Sequence, residues 1–283
     1  MTAVERTVGR REHGDPFAAA VRPRRFGAWY VTEHKLRAMR AYGGGLVANA
    51  IFNPVLTLYT FGVGLGSLIS ANTSPDAVDG VSYLTFVMPA MLCGALLMVG
   101  AEEGWFTFMS GFKWNEIFPA MRSAPISSAQ VIDGTIIMIV IRLLVTGVIY
   151  YAIGLLFGAV QLGWSLLMVP IGALSALALA LPVAAVACAT VNDRGQHNIV
   201  MRLIVSPMTL FAGTMYPLTI LPIWLQWVGW VSPLWHAAQL SRSVSYGLDE
   251  PPWLVVVHWL VLVIPAVIGW RLAVRNATRR LQK

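Results

Sequence analysis

This 283-residue chain predicts an all-α membrane protein with six transmembrane helices. Three observations carry that fold class. Only 12% of the residues are charged, about half the ~25% of soluble domains. Apolar stretches of roughly 20 residues recur, long enough to cross a hydrocarbon core of ~30 Å. Of the 20 Lys and Arg residues, 19 fall on one side of the stack these stretches would form, and basic residues mark the loops that stay in the cytoplasm.

The remaining composition narrows the class further. With 57% hydrophobic residues and a mean hydropathy of +0.67, the net charge of +7 points to orientation and anionic lipid rather than nucleic acid. Cys93 and Cys188 lie inside apolar segments without a C-x-x-C pattern, so buried thiols are expected rather than a disulfide or metal site. No early apolar core marks a cleavable signal in the first 42 residues. The bias of 17 Arg to 3 Lys, with abundant Ala and Gly, fits a GC-rich bacterial genome.

Taken in order, residues 1–24 are polar, contain Pro16 and Pro23, and are expected to be a disordered tail. Over 25–42, Phe26, Trp29, Tyr30, Leu36 and Met39 alternate with Arg25, Lys35, Arg37 and Arg40, as in an amphipathic helix on the membrane surface. Gly43, Gly44 and Gly45 then predict a flexible corner, dividing a cytoplasmic tail and interface helix (1–42) from a transmembrane domain (43–283). Six spans are read at 46–69, 82–104, 134–157, 164–190, 199–216 and 253–273. The first outer connection, 71–80, carries Asp76 and Asp79 but no basic residue, and 161–163 is a tight turn. Arg242 is the one basic residue on the outer side, so both termini are expected in the cytoplasm, consistent with an even span count.

Two segments are not ordinary spans or loops. In the cytoplasmic connection 111–133, Phe112, Trp114, Ile117, Phe118 and Met121 recur at helical spacing until Pro125 stops the pattern. Such a helix can float among lipid headgroups or form a knob for a cytoplasmic partner. The outer stretch 215–242 is apolar, yet Pro217, Pro222 and Pro233 interrupt it, with Gly229 a further weak point. A pair of short helices dipping in from outside fits it, as does an interfacial cap. Trp224, Trp227, Trp230 and Trp235 would sit at the outer interface.

The polar candidates are few. Glu102 and Glu103 end the second span, either as a solvated helix end or as lining groups at an inner gate. Arg142 lies eight residues into the third span, about 12 Å along the helix, where it pairs with Glu102 or Glu103 or snorkels to headgroups. Asp193, Arg194 and His197 read as a charged cytoplasmic turn. His236 and His258 lie toward the outer side, and neither has a second ligand at helical spacing, so no metal site is expected.

Several blocks in order resemble the permease subunits of type-2 ABC exporters, in the branch of nodulation lipo-oligosaccharide exporters and daunorubicin-type drug resistance permeases. Asn53, Pro54, Tyr59 and the run Gly62 to Gly66 resemble the first span and its glycine-rich end. Tyr83, Phe86 and Pro89 are similar to Y-x-x-F-x-x-P-G, with Ala90 in place of the glycine. Ala124 to Ser127 with Asp133 and Gly134 resembles the T-P-L-x block and its following glycine motif. Phe211, Gly213, Tyr216, Pro217, Leu221 and Pro222 resemble F-S-G-x-x-F-P-x-x-x-L-P, and Pro233, Leu234, His236 and Arg242 the closing P-L-x-H-x-x-x-x-x-R.

The resemblance implies two permease subunits, as a homodimer or with a paralogous permease, driven by two copies of a cytoplasmic P-loop ATPase. It also implies that 25–42 is a connecting helix and that 111–125 is a coupling helix, with Phe112, Trp114, Ile117, Phe118, Met121 and Pro125 engaging the ATPase. The outer re-entrant motif would comprise Gly213, Pro217, Pro222, Pro233, His236 and Arg242. No G-x-x-x-x-G-K-[ST] occurs here, so the chain is not expected to be an enzyme, and ATP and Mg belong to the partner. The predicted function is export of an amphipathic or lipid-linked molecule, a drug or an envelope precursor, across the bacterial plasma membrane. An ion-coupled carrier would want carboxylates at the membrane midplane, and a membrane-embedded transferase a cluster of Asp, His or Ser at one interface; neither pattern occurs.

Overall fold

The computed structural model describes residues 16–72, 78–121 and 123–282, so Asp76, Arg122 and most of the expected tail lie outside the described residues. Among the described residues the chain is helical, with one isolated bridge between Val78 and Val81. Five helical stretches are long and apolar enough to cross a membrane: Arg24–Ile69, Tyr83–Trp114, Ser128–Leu156, Trp164–Ala189 and Pro252–Leu281.

The first stretch comprises α1 (Pro16–Met39), a 3-10 turn (Arg40–Tyr42), α2 (Gly43–Thr57), a π-helical segment (Leu58–Leu65) and α3 (Gly66–Asn72). The expected glycine corner is corrected here. Gly43, Gly44 and Gly45 form the first turn of α2, and the chain bends at Tyr42, whose φ of −120° and ψ of 19° leave the helical region. Nothing crowds the three glycines, so the 3-10 turn rather than free space redirects the backbone.

The second stretch is α4 (Tyr83–Met109), capped by the Ser82 hydroxyl accepting from the Thr85 amide, and continued by a π turn (Ser110–Trp114). After α5 (Ile117–Met121), α6 (Ser128–Leu156) starts six residues before the expected span. The reason is a capping box: Ser127 accepts from the Gln130 amide at 3.2 Å while the Gln130 side chain accepts from the Ser127 amide at 2.9 Å. A 3-10 turn (Trp164–Leu167) leads into α7 (Met168–Ala189).

The expected span 199–216 is different in kind. It comprises α8 (Gln196–Val200), a π turn (Met201–Val205) and α9 (Ser206–Phe211), and the helix stops at Phe211. Beyond it come a 3-10 turn (Leu218–Ile220), α10 (Ile223–Val231), α11 (Pro233–Tyr246) and the long α12 (Pro252–Leu281). Pro222 precedes α10 and Pro233 opens α11 behind the Ser232 cap, so these prolines start helices.

Helices α4 and α7 form the centre: 67% of the apolar window of each is buried, against 22% for α12 and 17% for the first stretch. Close packing needs small residues, since lipid supplies no hydrophobic drive between helices. Gly100 and Gly104 on α4 face Ala176 and Ala180 on α7, and a Cβ on Gly104 would lie 2.4 Å from the Ala180 carbonyl oxygen. Gly134 on α6 meets α1 in the same way, 2.3 Å from the Ala28 oxygen, where the Thr32 hydroxyl also donates to the Gly134 carbonyl at 2.9 Å.

Candidate functional site

A cavity of about 420 Å³ opens among α2, α4, α6, α9 and the start of α11. Its polar lining includes Asn49, Asn53, Thr57, Glu102, Tyr150 and Thr209, set among apolar walls such as Met91 and Met98. The Tyr150 hydroxyl lies 3.3 Å from the Thr57 hydroxyl, which holds this phenol against α2. Among the described residues the three π-helical segments lie on the first stretch, the continuation of α4 and the α8–α9 unit, whose helices α2, α4 and α9 line this cavity. A π turn displaces one residue from the helical ladder and occurs often at functional sites.

The adjacent carboxylates near the end of α4 divide. Glu102 is exposed and lines the cavity, whereas Glu103 is buried, forms an ion pair with Arg142 and accepts from the Thr107 hydroxyl. Of the two partners expected for Arg142, the structure thus selects Glu103. Arg142 itself faces a neighbouring crevice of about 260 Å³ between α2 and α6, together with Arg40.

The segment expected to couple to an ATPase is not one amphipathic helix. The π turn ends at Asn115, whose amide donates to the Ser110 carbonyl at 3.0 Å, and Glu116 takes a left-handed φ of 50° before α5 begins. Phe112 and Phe118 point inward: both are buried, with ring centroids 4.9 Å apart and edge-on. Lys35 of α1 lies 4.9 Å from the Phe118 ring and Arg280 of α12 lies 4.5 Å from the Phe112 ring, so two cations clamp the aromatic pair. The reading of Phe112 and Phe118 as partner contacts is therefore corrected, because their faces are spent inside this chain. Trp114, 48% exposed, remains available, with Ile117 and Met121 half-buried and Pro125 exposed.

At the opposite end Arg242 is 2% exposed. Its guanidinium donates to the carbonyls of Phe86 (3.4 Å), Gly213 (3.1 Å) and Thr214 (3.4 Å) and to Gln239 Oε1 (2.8 Å). It also stacks 3.8 Å from the Phe86 ring centroid. Gly213 adopts a φ of +62°, the left-handed geometry that favours glycine, and this turns its carbonyl toward Arg242. Pro217 precedes the adjoining 3-10 turn.

His236 and His258, for which no partner was read from the sequence, meet with their Nδ1 atoms 2.5 Å apart. His236 Nε2 lies 2.9 Å from the Trp230 carbonyl and His258 Nε2 2.7 Å from Glu250 Oε2. Two histidines on separate helices flanking a short turn that carries a carboxylate were the only available sequence signal. Among the described residues no group of three or more His, Cys, Asp or Glu is arranged to hold a metal ion.

The model of the ABC-2 type transporter family matches residues 32–246, the span from α1 to the end of α11. The chain belongs to this family. Its relatives include nodulation protein J of Rhizobium leguminosarum bv. viciae, 24% identical over 236 residues, covering 82% of this chain and 86% of that protein. Nodulation protein J of Sinorhizobium fredii is 24% identical over 228 residues, covering 81% and 84%. The inner membrane transport permease YadH of Escherichia coli K12 is 26% identical over 229 residues, covering 79% and 86%. As an ABC-2 type permease, the chain is an integral inner-membrane component of a transporter, not a catalytic subunit. Both motifs that close the family resemblance converge on Arg242, which joins the ends of the α8–α9 unit and α11 to α4.

Proposed function

We propose that this chain is the transmembrane subunit of an ATP-driven exporter, paired with a second permease copy or a paralogue and powered by two copies of a cytoplasmic P-loop ATPase that hold ATP and Mg. Its cargo is an amphipathic or lipid-linked molecule, a drug or an envelope precursor. In this reading α8–α9 is the sixth crossing, thinner than the other five, and α10–α11 dip in from the outer face. Both termini then lie in the cytoplasm, following the Lys and Arg distribution.

The cavity carries the proposal. Its walls are mainly apolar, with separated amides and hydroxyls at Asn49, Asn53, Thr57 and Tyr150, which suits a molecule with a hydrocarbon part and a polar head. Asn49, Ala50, Val99 and Thr146 also line the crevice beside α6, so an apolar side route adjoins the cavity.

The test is co-purification. A neighbouring reading frame encoding a P-loop ATPase is expected, and its product should co-purify with this chain. Replacing Trp114 and Ile117 by Ala should abolish that association. An ATPase that stays bound to the double variant would overturn the coupling role. Transport that persists without any ATPase and collapses with the ion gradient would instead establish an ion-coupled carrier.

A further inference from the structure

At the outer end, three titratable side chains that no single motif links are joined in one chain of hydrogen bonds, and its hydrogens can be counted. His236 Nε2 faces the Trp230 carbonyl at 2.9 Å, and a carbonyl only accepts, so this nitrogen carries a hydrogen. The contact between the two Nδ1 atoms, at 2.5 Å, needs one hydrogen between them. The contact of His258 Nε2 with Glu250 Oε2, at 2.7 Å, needs another. Three hydrogens are thus required, whereas two neutral imidazoles and a carboxylate supply two. The trio holds one further proton and is electrically neutral, and with Glu250 ionised near neutrality that proton sits on the imidazoles.

The surroundings fix the far end of this chain. Glu250 Oε1 accepts from Gln239 Nε2 at 2.8 Å, and Gln239 Oε1 is held by Arg242 at 2.8 Å, so the amide can present only its NH2 group to Glu250. Beyond Arg242 lie Tyr246 and Asp79, joined at 3.1 Å. Helix α4 brings Cys93, 3.3 Å from the Ser241 hydroxyl. Helix α10 contains no titratable residue, and α7 none but Cys188. His236 and His258 are 2% and 0% exposed, so water cannot substitute for a lost partner.

We propose that His236, His258 and Glu250 bind a single shared proton and act as positioning residues that hold α10 and α11 against α12. A fourth proton sets two donors face to face. Loss of the third sets two acceptors face to face. Either change separates Trp230 and α11 from α12, so the outer helices stay in place only within a pH window. Their role in cargo release rests on the exporter reading; the proton site does not. The carboxyl of Glu250 agrees with this wiring: burial acts to raise it, yet hydrogen bonds from His258 and Gln239 prevail and hold it below its ordinary value.

The discriminating variant is Glu250→Gln. Its amide can accept from Gln239 and donate to His258 Nε2, so two neutral imidazoles satisfy every contact without the extra proton. Histidine-15N solid-state NMR of the permease in nanodiscs, over about pH 5 to 9 around the ordinary imidazole value of ~6.5, reads the count directly. His236→Gln and His258→Gln assign the signals. One more ring-associated proton is expected near neutrality in the wild type than in E250Q, lost as pH rises. Amide hydrogen exchange over 223–246 then reads the positioning. In the wild type relative to E250Q, exchange should become about tenfold faster at the alkaline end, the loss of one buried hydrogen bond. Equal proton counts in the two proteins overturn the site, and equal exchange at alkaline pH overturns the positioning role. Neither measurement needs cargo or ATPase, so a failed co-purification would remove the exporter reading and leave this test standing.

Discussion

Arg142 and Arg242 sit toward opposite ends of the helical bundle and are neutralised by opposite means. Arg142 is ion-paired to Glu103, with Glu102 adding attraction from nearby, and about a fifth of its side chain still reaches solvent. Arg242 makes no direct ion pair among the described residues; it is 2% exposed, held by three backbone carbonyls, an amide oxygen and the Phe86 ring. An ion pair depends on charge and can be exchanged as a unit. A guanidinium shared among carbonyls from α4 and the turn after α9 fixes backbone positions, and only a planar fork of five donors can do so. Arg142 therefore behaves as a removable clasp and Arg242 as part of the frame.

The largest expected effect is at the frame. Arg242→Ala leaves the carbonyls of Phe86, Gly213 and Thr214 buried without their donor. At ~1–3 kcal/mol for each unsatisfied group, the loss should exceed about 4 kcal/mol. Unfolding in mixed micelles measures it, and Arg242→Lys should recover less than half, since an ammonium cannot span the same acceptors. Full recovery by lysine would erase the distinction between the two arginines.

Next comes the aromatic pair clamped between Lys35 and Arg280. Phe118→Ala empties a fully buried site and should cost ~3 kcal/mol. Trp114→Ala, at a half-exposed position three residues before Ile117, should change stability by no more than ~0.5 kcal/mol. The two variants separate packing from partner contact within one short segment.

The clasp follows. Arg142→Gln strands Glu103 and should cost ~2 kcal/mol, below the ~3–5 of a fully buried pair because part of the arginine is wet. The double variant with Glu103→Gln should recover most of that loss, measured as a coupling energy in a double-mutant cycle. A strictly additive pair would show that the two residues do not act together.

Legibility in the sequence follows the range of the interactions. Span positions and the Arg142 pairing follow from local composition and a single depth estimate; the structure has long apolar helices at five of the six expected spans, and of Glu102 and Glu103 it pairs the second with Arg142. The break in 215–242 was visible in its prolines, although Pro222 and Pro233 open helices rather than end them. The inward turn of Phe112 and Phe118 was not visible, because helical periodicity assigns a face only when the helix continues, and the left-handed Glu116 interrupts it. Nor did spacing reveal that α11 and α12 bring together two histidines 22 positions apart.

That junction yields the smallest predicted effect and the sharpest contrast with Arg142. The Glu250 carboxyl lies below its ordinary value in the folded chain, through hydrogen bonds from His258 and Gln239 acting against burial. A depressed folded value means that the unfolded chain takes up the proton first as pH falls. The stabilisation is then fully present above the ordinary carboxylate value of ~4.3 and is lost as pH drops through the lower folded value. The thermal midpoint of the purified permease should therefore decline between about pH 5 and pH 3, and this decline should shrink in Glu250→Gln, which has no carboxyl to titrate there. The Glu103→Gln and Arg142→Gln pair keeps Glu250 and should retain the decline. If the double variant lost it and E250Q kept it, the acid-sensitive joint would lie at the Arg142 clasp, and the division between a removable clasp and a fixed frame would have to be reversed.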